Sequence, residues 1–151
     1  MIYTELTKKA MRLAYRAHHG QLDKAGVPYI FHPYHLAEQM NDEISVCAAL
    51  LHDVVEDTAV TPEELAAEFP PEVVNAVMLL THTDGEDYFD YVRKVSRDPV
   101  AAKVKLADLR HNSDASRLPS PIDSRAQARL KKYAAAIAIL EQELKKGHGT
   151  A

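Results

Sequence analysis

Four side chains that can bind a metal or carry a proton lie within a stretch of six residues. They are His52, Asp53, Glu56 and Asp57. The apolar run before them, residues 44–51, predicts a buried helix, and we expect His52 and Asp53 to extend it. Each of these two residues then has an acidic residue four positions later, on the same helix face. Three carboxylates crowded on one face repel one another unless a cation or a shared proton neutralises them. The pattern favours a divalent metal, although a core histidine beside solvated acids gives the same spacing.

Histidine and aspartate recur in other segments that the sequence predicts to be apolar helices. His32 precedes Pro33 at the start of one predicted helix, and Asp108 and His111 lie near the end of another. A buried set of two imidazoles and two carboxylates suits Mn(II), Fe(II) or Zn(II). Open coordination positions on such a metal let a water molecule bind and lose a proton near neutral pH. These residues therefore predict a metal centre assembled from distant segments.

Capping residues and prolines mark where the helices that position these side chains begin. The predicted starts are at Thr4, Pro33, Asp42, Thr61-Pro62, Pro71, Asp87, Asp98-Pro99 and Ser124. We expect the first helix to end near Gly20, a loop to span residues 21–31, and the last helix to end at Gly147, with His148 in the tail. No useful period-two strand pattern is present. The expected architecture is an all-α bundle of about seven or eight helices, forming a single domain over residues 1–151.

Composition narrows the classes of partner and compartment. The chain has 151 residues, 46% of them hydrophobic and 26% charged, which is typical of a globular domain. A net charge of −4 disfavours an extended nucleic-acid partner but allows a small nucleotide in a pocket. The single cysteine, Cys47, lies in an apolar run, which fits a reducing compartment. We see no signal-peptide pattern and no apolar stretch of membrane-spanning length, and we expect a cytoplasmic protein.

Four segments, in a fixed order, carry a resemblance to a known family. They are His18 with Gly20-Gln21, the segment KAGVPYIFHP at 24–33, AALLHDVVEDT at 48–58, and KLADLRHN at 105–112. Together they resemble the HD-domain phosphohydrolases. More narrowly, they resemble the hydrolase domain of RelA/SpoT-type alarmone enzymes and their stand-alone small versions. The resemblance covers nearly the whole chain, and it implies an all-α HD-domain fold.

The resemblance also implies roles for individual residues. It implies that one divalent metal, manganese in the hydrolases, is bound by His32, His52, Asp53 and Asp108. Glu56 and Asp57 match the acid pair that handles protons around the attacking water. Asn112 matches a residue near the nucleotide sugar and phosphates, and Lys24 a basic residue at the pocket mouth. Lys105 is a further cation that could offset polyphosphate charge, with a salt-bridged surface role equally open. The implied reaction removes the 3′-pyrophosphate from guanosine tetra- or pentaphosphate, the nucleotides of the stringent response.

The chain departs from the family pattern at Asp23. The alarmone hydrolases carry an arginine at this position that stacks on guanine, and an aspartate can neither stack in this way nor attract phosphate. The segment beginning at Asp108 also reads Asp-Leu-Arg-His-Asn instead of the more usual Asp-Arg-Leu-His-Asn. A nucleotide phosphatase of other specificity, such as a 5′-nucleotidase or an NADPH phosphatase, is therefore an alternative. A non-catalytic nucleotide-binding sensor is a second alternative, against which the presence of Glu56 and Asp57 argues.

Overall fold

A computed structural model describes residues 1–149, and the side chain of His148 lies outside what it describes. The described residues form an all-α bundle, which confirms the predicted fold class. Eight helices have seven residues or more, and a ninth helix is a single turn. Most connections are short, but residues 18–30 and 113–123 form two longer ones. The bounds are α1 Glu5–Ala17, α2 Phe31–Glu38, α3 Glu43–Leu51, α4 Val54–Asp57, α5 Pro62–Glu68, α6 Pro71–Leu80, α7 Tyr88–Ser96, α8 Pro99–Asn112 and α9 Ser124–Gly149.

Side-chain caps fix where most of these helices begin. A cap accepts a hydrogen bond from one of the first backbone N–H groups, which have no partner within the helix. Thr4 accepts from the Thr7 N–H at 3.1 Å and Asp42 from the Ser45 N–H at 2.8 Å. The predicted starts at Thr4, Asp42, Thr61, Asp87 and Asp98 are confirmed in this way. Helix α2 begins at Phe31, just before the predicted start.

Helix α3 is the centre of the bundle. Every residue from Ser45 to Leu51 is buried, and the helix packs against α1, α2, α6 and α8. A helix that is apolar on all sides has to be covered on all sides, which explains its four neighbours. Helix α9 packs against α7 and α8. The residue that follows Leu51 therefore enters the site from the most buried helix of the molecule.

The predicted continuation of this helix through Asp57 is wrong. Helix α3 ends at Leu51, and α4 begins at Val54 after a two-residue turn. The backbone of Asp53 has φ −108° and ψ 1°, away from helical values. The cause is local, because the His52 ring donates from Nδ1 to the carbonyl of Ala49 at 2.7 Å. Neighbouring side chains on a regular helix point about 100° apart, whereas this turn directs His52 and Asp53 to one point.

The last helix differs from its prediction at both ends. Asp123 caps it in place of Ser124, since Asp123 Oδ1 accepts the N–H of Ala126 at 2.8 Å. The helix also continues through Gly147 as far as the described residues extend. Glycine adopts the right-handed helical conformation as well as the left-handed one, so it does not stop a helix by itself. Among the described helices, none is long and apolar enough to cross a membrane.

Candidate metal centre

The four predicted metal ligands lie together at the centre of the bundle. His32 comes from α2, His52 from the end of α3, Asp53 from the turn that follows, and Asp108 from α8. The ligand atoms of the first three all lie within 4.8 Å of one another. Asp108 Oδ1 lies 2.8 Å from His32 Nε2 and 3.6 Å from His52 Nε2. Residues 76 positions apart in the chain are therefore in contact.

The His52 ring shows that these residues fit a cation. Its Nδ1 donates to a backbone carbonyl, which can only accept, so Nδ1 carries a hydrogen. In the neutral ring, Nε2 therefore carries a lone pair, and this buried atom has no hydrogen-bond partner among the described residues. It lies 2.9 Å from Asp53 Oδ2. A lone pair facing carboxylates is unfavourable unless a cation lies between them, and a divalent metal meets this requirement.

The pKa of His52 reflects the same electrostatics. Burial by itself would lower the pKa of this ring. The carboxylates of Asp53 and Asp108 outweigh burial and hold the pKa of His52 well above its usual value. A proton on Nε2 thus satisfies the carboxylates in the way that a metal would. The arrangement of His52, Asp53 and Asp108 therefore favours a cation between the imidazole and the carboxylates.

Asp108 is kept ionised by a partly buried lysine. Burial would raise the pKa of Asp108, but the charge of Lys105, the hydrogen bond with His32 and the charge of His52 hold it well below its usual value. Lys105 Nζ lies 2.8 Å from Asp108 Oδ2, with its side chain 15% exposed. Lys105 therefore forms an ion pair with a candidate metal ligand. Of the two roles that the sequence left open for Lys105, this is the salt-bridged one. The amide of Asn112 also donates to Asp108 Oδ1, at 3.0 Å.

Two further residues orient the candidate ligands, a role that the sequence assigned to neither of them. The Tyr29 hydroxyl donates to Asp53 Oδ2. Burial and the charge of Asp53 raise the pKa of Tyr29, so the hydroxyl stays protonated and donates. His111 Nδ1 lies 2.7 Å from His32 Nδ1, and burial lowers the pKa of His111 to about 4. A neutral His111 can accept from His32 Nδ1–H and so aim the other nitrogen at the site.

His18 and Gln21 support the site from the loop after α1. The His18 ring is buried, and its Nδ1 lies 2.8 Å from Gln21 Oε1. Gln21 Nε2 donates to the backbone carbonyl of Asp57 at 2.9 Å. Both residues belong to the motif quoted above, but a sequence does not show which backbone a side chain will reach. Gln21 ties the loop to the turn of helix that carries the acidic pair.

Glu56 and Asp57 lie beside the candidate ligands and reach solvent. Oxygen atoms of Asp53, Glu56 and Asp57 all lie within 4.8 Å of one another. Glu56 Oε1 accepts the backbone N–H of His82 at 2.6 Å. Partial burial, together with the charge of Asp53, raises the pKa of both carboxyl groups. A carboxylate with a raised pKa beside a metal site is a suitable proton acceptor.

The predicted substrate residues line a cavity next to the metal site. Lys24 and Asn112 both border this cavity, whose volume is about 300 Å³. Tyr29 borders the same cavity and links it to Asp53. Asp23 also lies in the wall. The structure thus brings seven of the eight predicted site residues around one centre, while Lys24 lies in the wall of the adjoining cavity.

Comparison with known proteins gives a family match and several relatives. A model of the HD domain family matches residues 10–116. The chain is 35% identical over 137 residues to a probable GTP pyrophosphokinase of Mycobacterium leprae, covering 82% of this chain and 17% of that protein. It is 37% identical over 123 residues to a guanosine-3′,5′-bis(diphosphate) 3′-pyrophosphohydrolase of Spiroplasma citri, covering 70% of this chain and 16% of that protein. The chain thus spans about a sixth of the length of these curated relatives.

One solved structure has a similar fold over nearly its whole length. It is a metazoan ortholog of SpoT that is described as hydrolysing ppGpp and as playing a role in starvation responses. The TM-score is 0.73 at 24% sequence identity, and the match covers 97% of this chain and 95% of that chain. The α-helical arrangement described here is therefore found in an independently determined structure.

Proposed function

Because this chain belongs to the HD domain family, we propose that it is a metal-dependent phosphohydrolase that acts on guanosine tetra- or pentaphosphate and releases the 3′-pyrophosphate. The observation that carries the proposal is the buried Nε2 of His52, which faces Asp53 and Asp108 without a hydrogen-bond partner in the described chain. Relatives that carry the name guanosine-3′,5′-bis(diphosphate) 3′-pyrophosphohydrolase support the substrate.

Four residues would hold the metal, which we propose to be Mn²⁺, with Fe²⁺ or Zn²⁺ also compatible with the donor set. They are His32, His52, Asp53 and Asp108. When bound, such a metal supplies Lewis-acid stabilisation of phosphate charge and activates water. Glu56 takes the proton of the attacking water, and Asp57 relays it to solvent. Tyr29 and His111 hold the ligand side chains in orientation.

The proposed partner is a small nucleotide, bound in the cavity that Lys24 and Asn112 border. Extended nucleic acid is not a proposed partner, because the chain carries a net charge of −4. No membrane partner is proposed. We place the protein in the cytoplasm. Its only cysteine, Cys47, is free and buried, as a reducing compartment allows.

A second candidate function is a nucleotide phosphatase of other specificity. Asp23 favours it, since the position at which the alarmone hydrolases carry a guanine-stacking arginine holds a carboxylate in this chain. Such an enzyme would use the same metal centre and release inorganic phosphate. The two functions therefore differ in the product and share the ligands.

The test is turnover of guanosine tetraphosphate by the Mn²⁺-loaded protein, with nucleotide, phosphate and pyrophosphate separated by anion-exchange chromatography. The proposal requires GDP and pyrophosphate in equal amounts. Release of inorganic phosphate, or turnover of other nucleotides alone, would instead establish the second candidate. Binding of Mn²⁺ and nucleotide without any product would identify a sensor. The His52→Ala variant is the inactive control. The His19→Ala variant, which replaces an exposed histidine, is the matched control and should keep its activity.

A further inference from the structure

Positive charge is concentrated in one wall of the 300 Å³ cavity beside the metal site. Lys24, Arg117 and Arg129 line it, and Asp23 is the one acidic residue in its described lining. With three cations and one carboxylate, the lining is net positive, whereas the whole chain carries a net charge of −4. The volume, about 300 Å³, is at the lower end of the range for small-ligand pockets. The cavity therefore suits a compact anionic group.

The same cavity is connected to the candidate metal ligands through two side chains in its wall. Tyr29 and Asn112 both line it. The Tyr29 hydroxyl donates to Asp53, and the Asn112 amide donates to Asp108 Oδ1 at 3.0 Å. A ligand that fills the cavity therefore has one end beside the metal ligands, and its other end reaches the cations.

Arg117 is held in this wall by two contacts. It is the last residue of a 3-10 turn, Ala115–Arg117, that follows α8. Its Nη1 donates to the carbonyl of His111 at 2.7 Å, and its Nη2 lies 3.6 Å from Asp23 Oδ2. A guanidinium has five N–H donors, so it can bind phosphate while both contacts persist. The side chain is 26% exposed, which limits competition from water without closing access.

Asp23 has a structural task at each of its two carboxylate oxygens. Oδ1 accepts the N–H groups of Ala25 and Val27 at 2.9 and 3.0 Å and so closes the loop of residues 21–30. Oδ2 faces Arg117. The carboxylate is thus committed to the loop and to a cation. The repulsion that Asp23 would exert on phosphate is offset by the positive charge of Arg117, which Asp23 holds in place.

We propose that Arg117 binds the 5′-diphosphate of the nucleotide and that Asp23 is a positioning residue that holds Arg117 for this purpose. The inference rests on the proposed function, because it assumes a nucleotide with phosphate groups on both its 3′ and 5′ sides. With the 3′ group at the metal ligands, the 5′ group extends to Arg117, with Lys24 and Arg129 nearby. Asp23 then acts on specificity through the arginine that it positions.

The larger neighbouring cavity does not offer the same chemistry. It has a volume of about 580 Å³ and also contains Arg117 and Asp23 in its wall. Apart from histidines, its charged residues are Arg117, Asp23 and Glu38, one cation against two carboxylates. An anion is therefore attracted to the smaller cavity, where the cations outnumber the carboxylate.

The first test removes the cation. Arg117→Gln should raise the Kd for GDP roughly 10- to 100-fold, the range expected for loss of charge-assisted hydrogen bonds. The KM for guanosine tetraphosphate should rise similarly while kcat stays nearly constant. The KM for guanosine 3′-diphosphate, which lacks 5′ phosphates, should not change. An equal rise for both substrates would overturn the 5′ assignment. Arg125→Gln is the matched control, since Arg125 is exposed on α9 outside the cavity lining.

The second test separates the two tasks of Asp23. Asp23→Asn keeps an oxygen that accepts the loop N–H groups but removes the charge that faces Arg117. We expect Asp23→Asn by itself to weaken GDP binding several-fold. Added to Arg117→Gln, it should weaken GDP binding no further, because the two residues act as a unit. Tighter GDP binding by Asp23→Asn would show that Asp23 only repels phosphate, and the positioning role would be wrong.

The two proposals fail in different ways. GDP and pyrophosphate formation by the wild-type protein, with Kd and KM unchanged in Arg117→Gln, would overturn the subsite and leave the function standing. No turnover, with GDP binding that depends on Arg117, would overturn the function and support the subsite. Circular dichroism and Mn²⁺ content check the fold of each variant. If Arg117→Gln loses its fold, Arg117→Lys decides, because lysine keeps the charge but not the several donors of the guanidinium. It should weaken GDP binding relative to wild type, and unchanged GDP binding would overturn the subsite.

Discussion

Glu56 is placed to exchange a proton between the metal site and solvent. One of its carboxylate oxygens lies within 4.8 Å of an oxygen of Asp53, and its Oε1 accepts a hydrogen bond from the backbone N–H of His82. Partial burial raises the pKa of its carboxyl group, which the charge of Asp53 also favours. A base whose pKa approaches the working pH transfers protons efficiently in both directions. The side chain combines a fixed position with a proton affinity raised above that of a free glutamate.

Replacing this carboxylate should slow the reaction without releasing the metal. Glu56→Gln keeps an oxygen for the His82 N–H but cannot take a proton, so we expect kcat to fall roughly 10²-fold or more. The wild-type rate should rise with pH as Glu56 loses its proton, and the variant should lack this acidic limb. The measurement is kcat against pH with Mn²⁺ content determined in parallel. Glu63→Gln, an exposed change on α5, is the control. An unchanged rate and acidic limb would exclude Glu56 from proton transfer.

The sequence identifies residues of the site better than it identifies their supports. The candidate ligands could be found because their motifs are contiguous and match a family. Tyr29 and His111 could not be assigned their roles, since each acts on a partner that only the fold brings near it. For Tyr29 the partner lies 24 positions away, and for His111 it lies 79 positions away. Spacing in sequence gives no information about such contacts.

Among the elements, α3 depends on its cap because it leads to His52. Asp42 Oδ1 accepts the Ser45 N–H at 2.8 Å, and Oδ2 accepts the Ser45 hydroxyl at 2.9 Å. Lys103 Nζ lies 3.6 Å from the same carboxylate. Burial would raise the pKa of Asp42, but the Ser45 hydrogen bonds and the Lys103 charge lower it overall. The folded state therefore favours the ionised cap.

Removal of this cap should reduce stability in a pH-dependent way. Asp42→Ala should lower the free energy of unfolding by about 1 kcal/mol at neutral pH. Because the pKa of Asp42 is lowered in the folded state, its ionic contribution is present above the unfolded pKa and is lost as pH falls through the folded one. The difference from wild type should shrink in acid. Urea unfolding at several pH values measures this.

The matched variant for the cap is Asp42→Asn, since asparagine caps nearly as well but does not titrate. It should retain most of the stability at neutral pH and show no acid-dependent loss from this position. Equal destabilisation by both variants at neutral pH, fading in acid, would mean that the charge, and not the cap, is what α3 requires. Ser45 and Lys103 stay unchanged in both variants, so the comparison isolates the carboxylate.

Helix starts were predictable because capping is a local interaction. Thr4, Asp42 and Asp98 each bond to N–H groups within a few residues. The break after Leu51 was not predictable from periodicity, because it depends on the His52 ring bonding the Ala49 carbonyl. A side chain that competes for a backbone acceptor does not change the spacing of apolar residues in the sequence, so periodicity does not reveal it. This break is also what directs His52 and Asp53 to one point.

At the scale of the whole molecule, the candidate ligands connect elements far apart in the chain. His32 lies on α2, His52 and Asp53 follow α3, and Asp108 lies on α8. Helix α3 packs against both of the others. A metal held by these residues therefore joins three helices at the centre of the bundle. Binding requires the folded arrangement, since an unfolded chain does not hold the ligands together.

Metal binding should consequently stabilise the whole fold. At a Mn²⁺ concentration 100 times the Kd, the gain is about 2.7 kcal/mol, which corresponds to a rise in Tm of about 5–10 °C for a domain of this size. Differential scanning calorimetry with increasing Mn²⁺ measures the shift, and chelation should reverse it. His52→Ala should abolish the shift, whereas His19→Ala, an exposed histidine, should keep it. An equal shift in both variants would place the stabilising metal away from His52, and the ligand assignment would then be wrong.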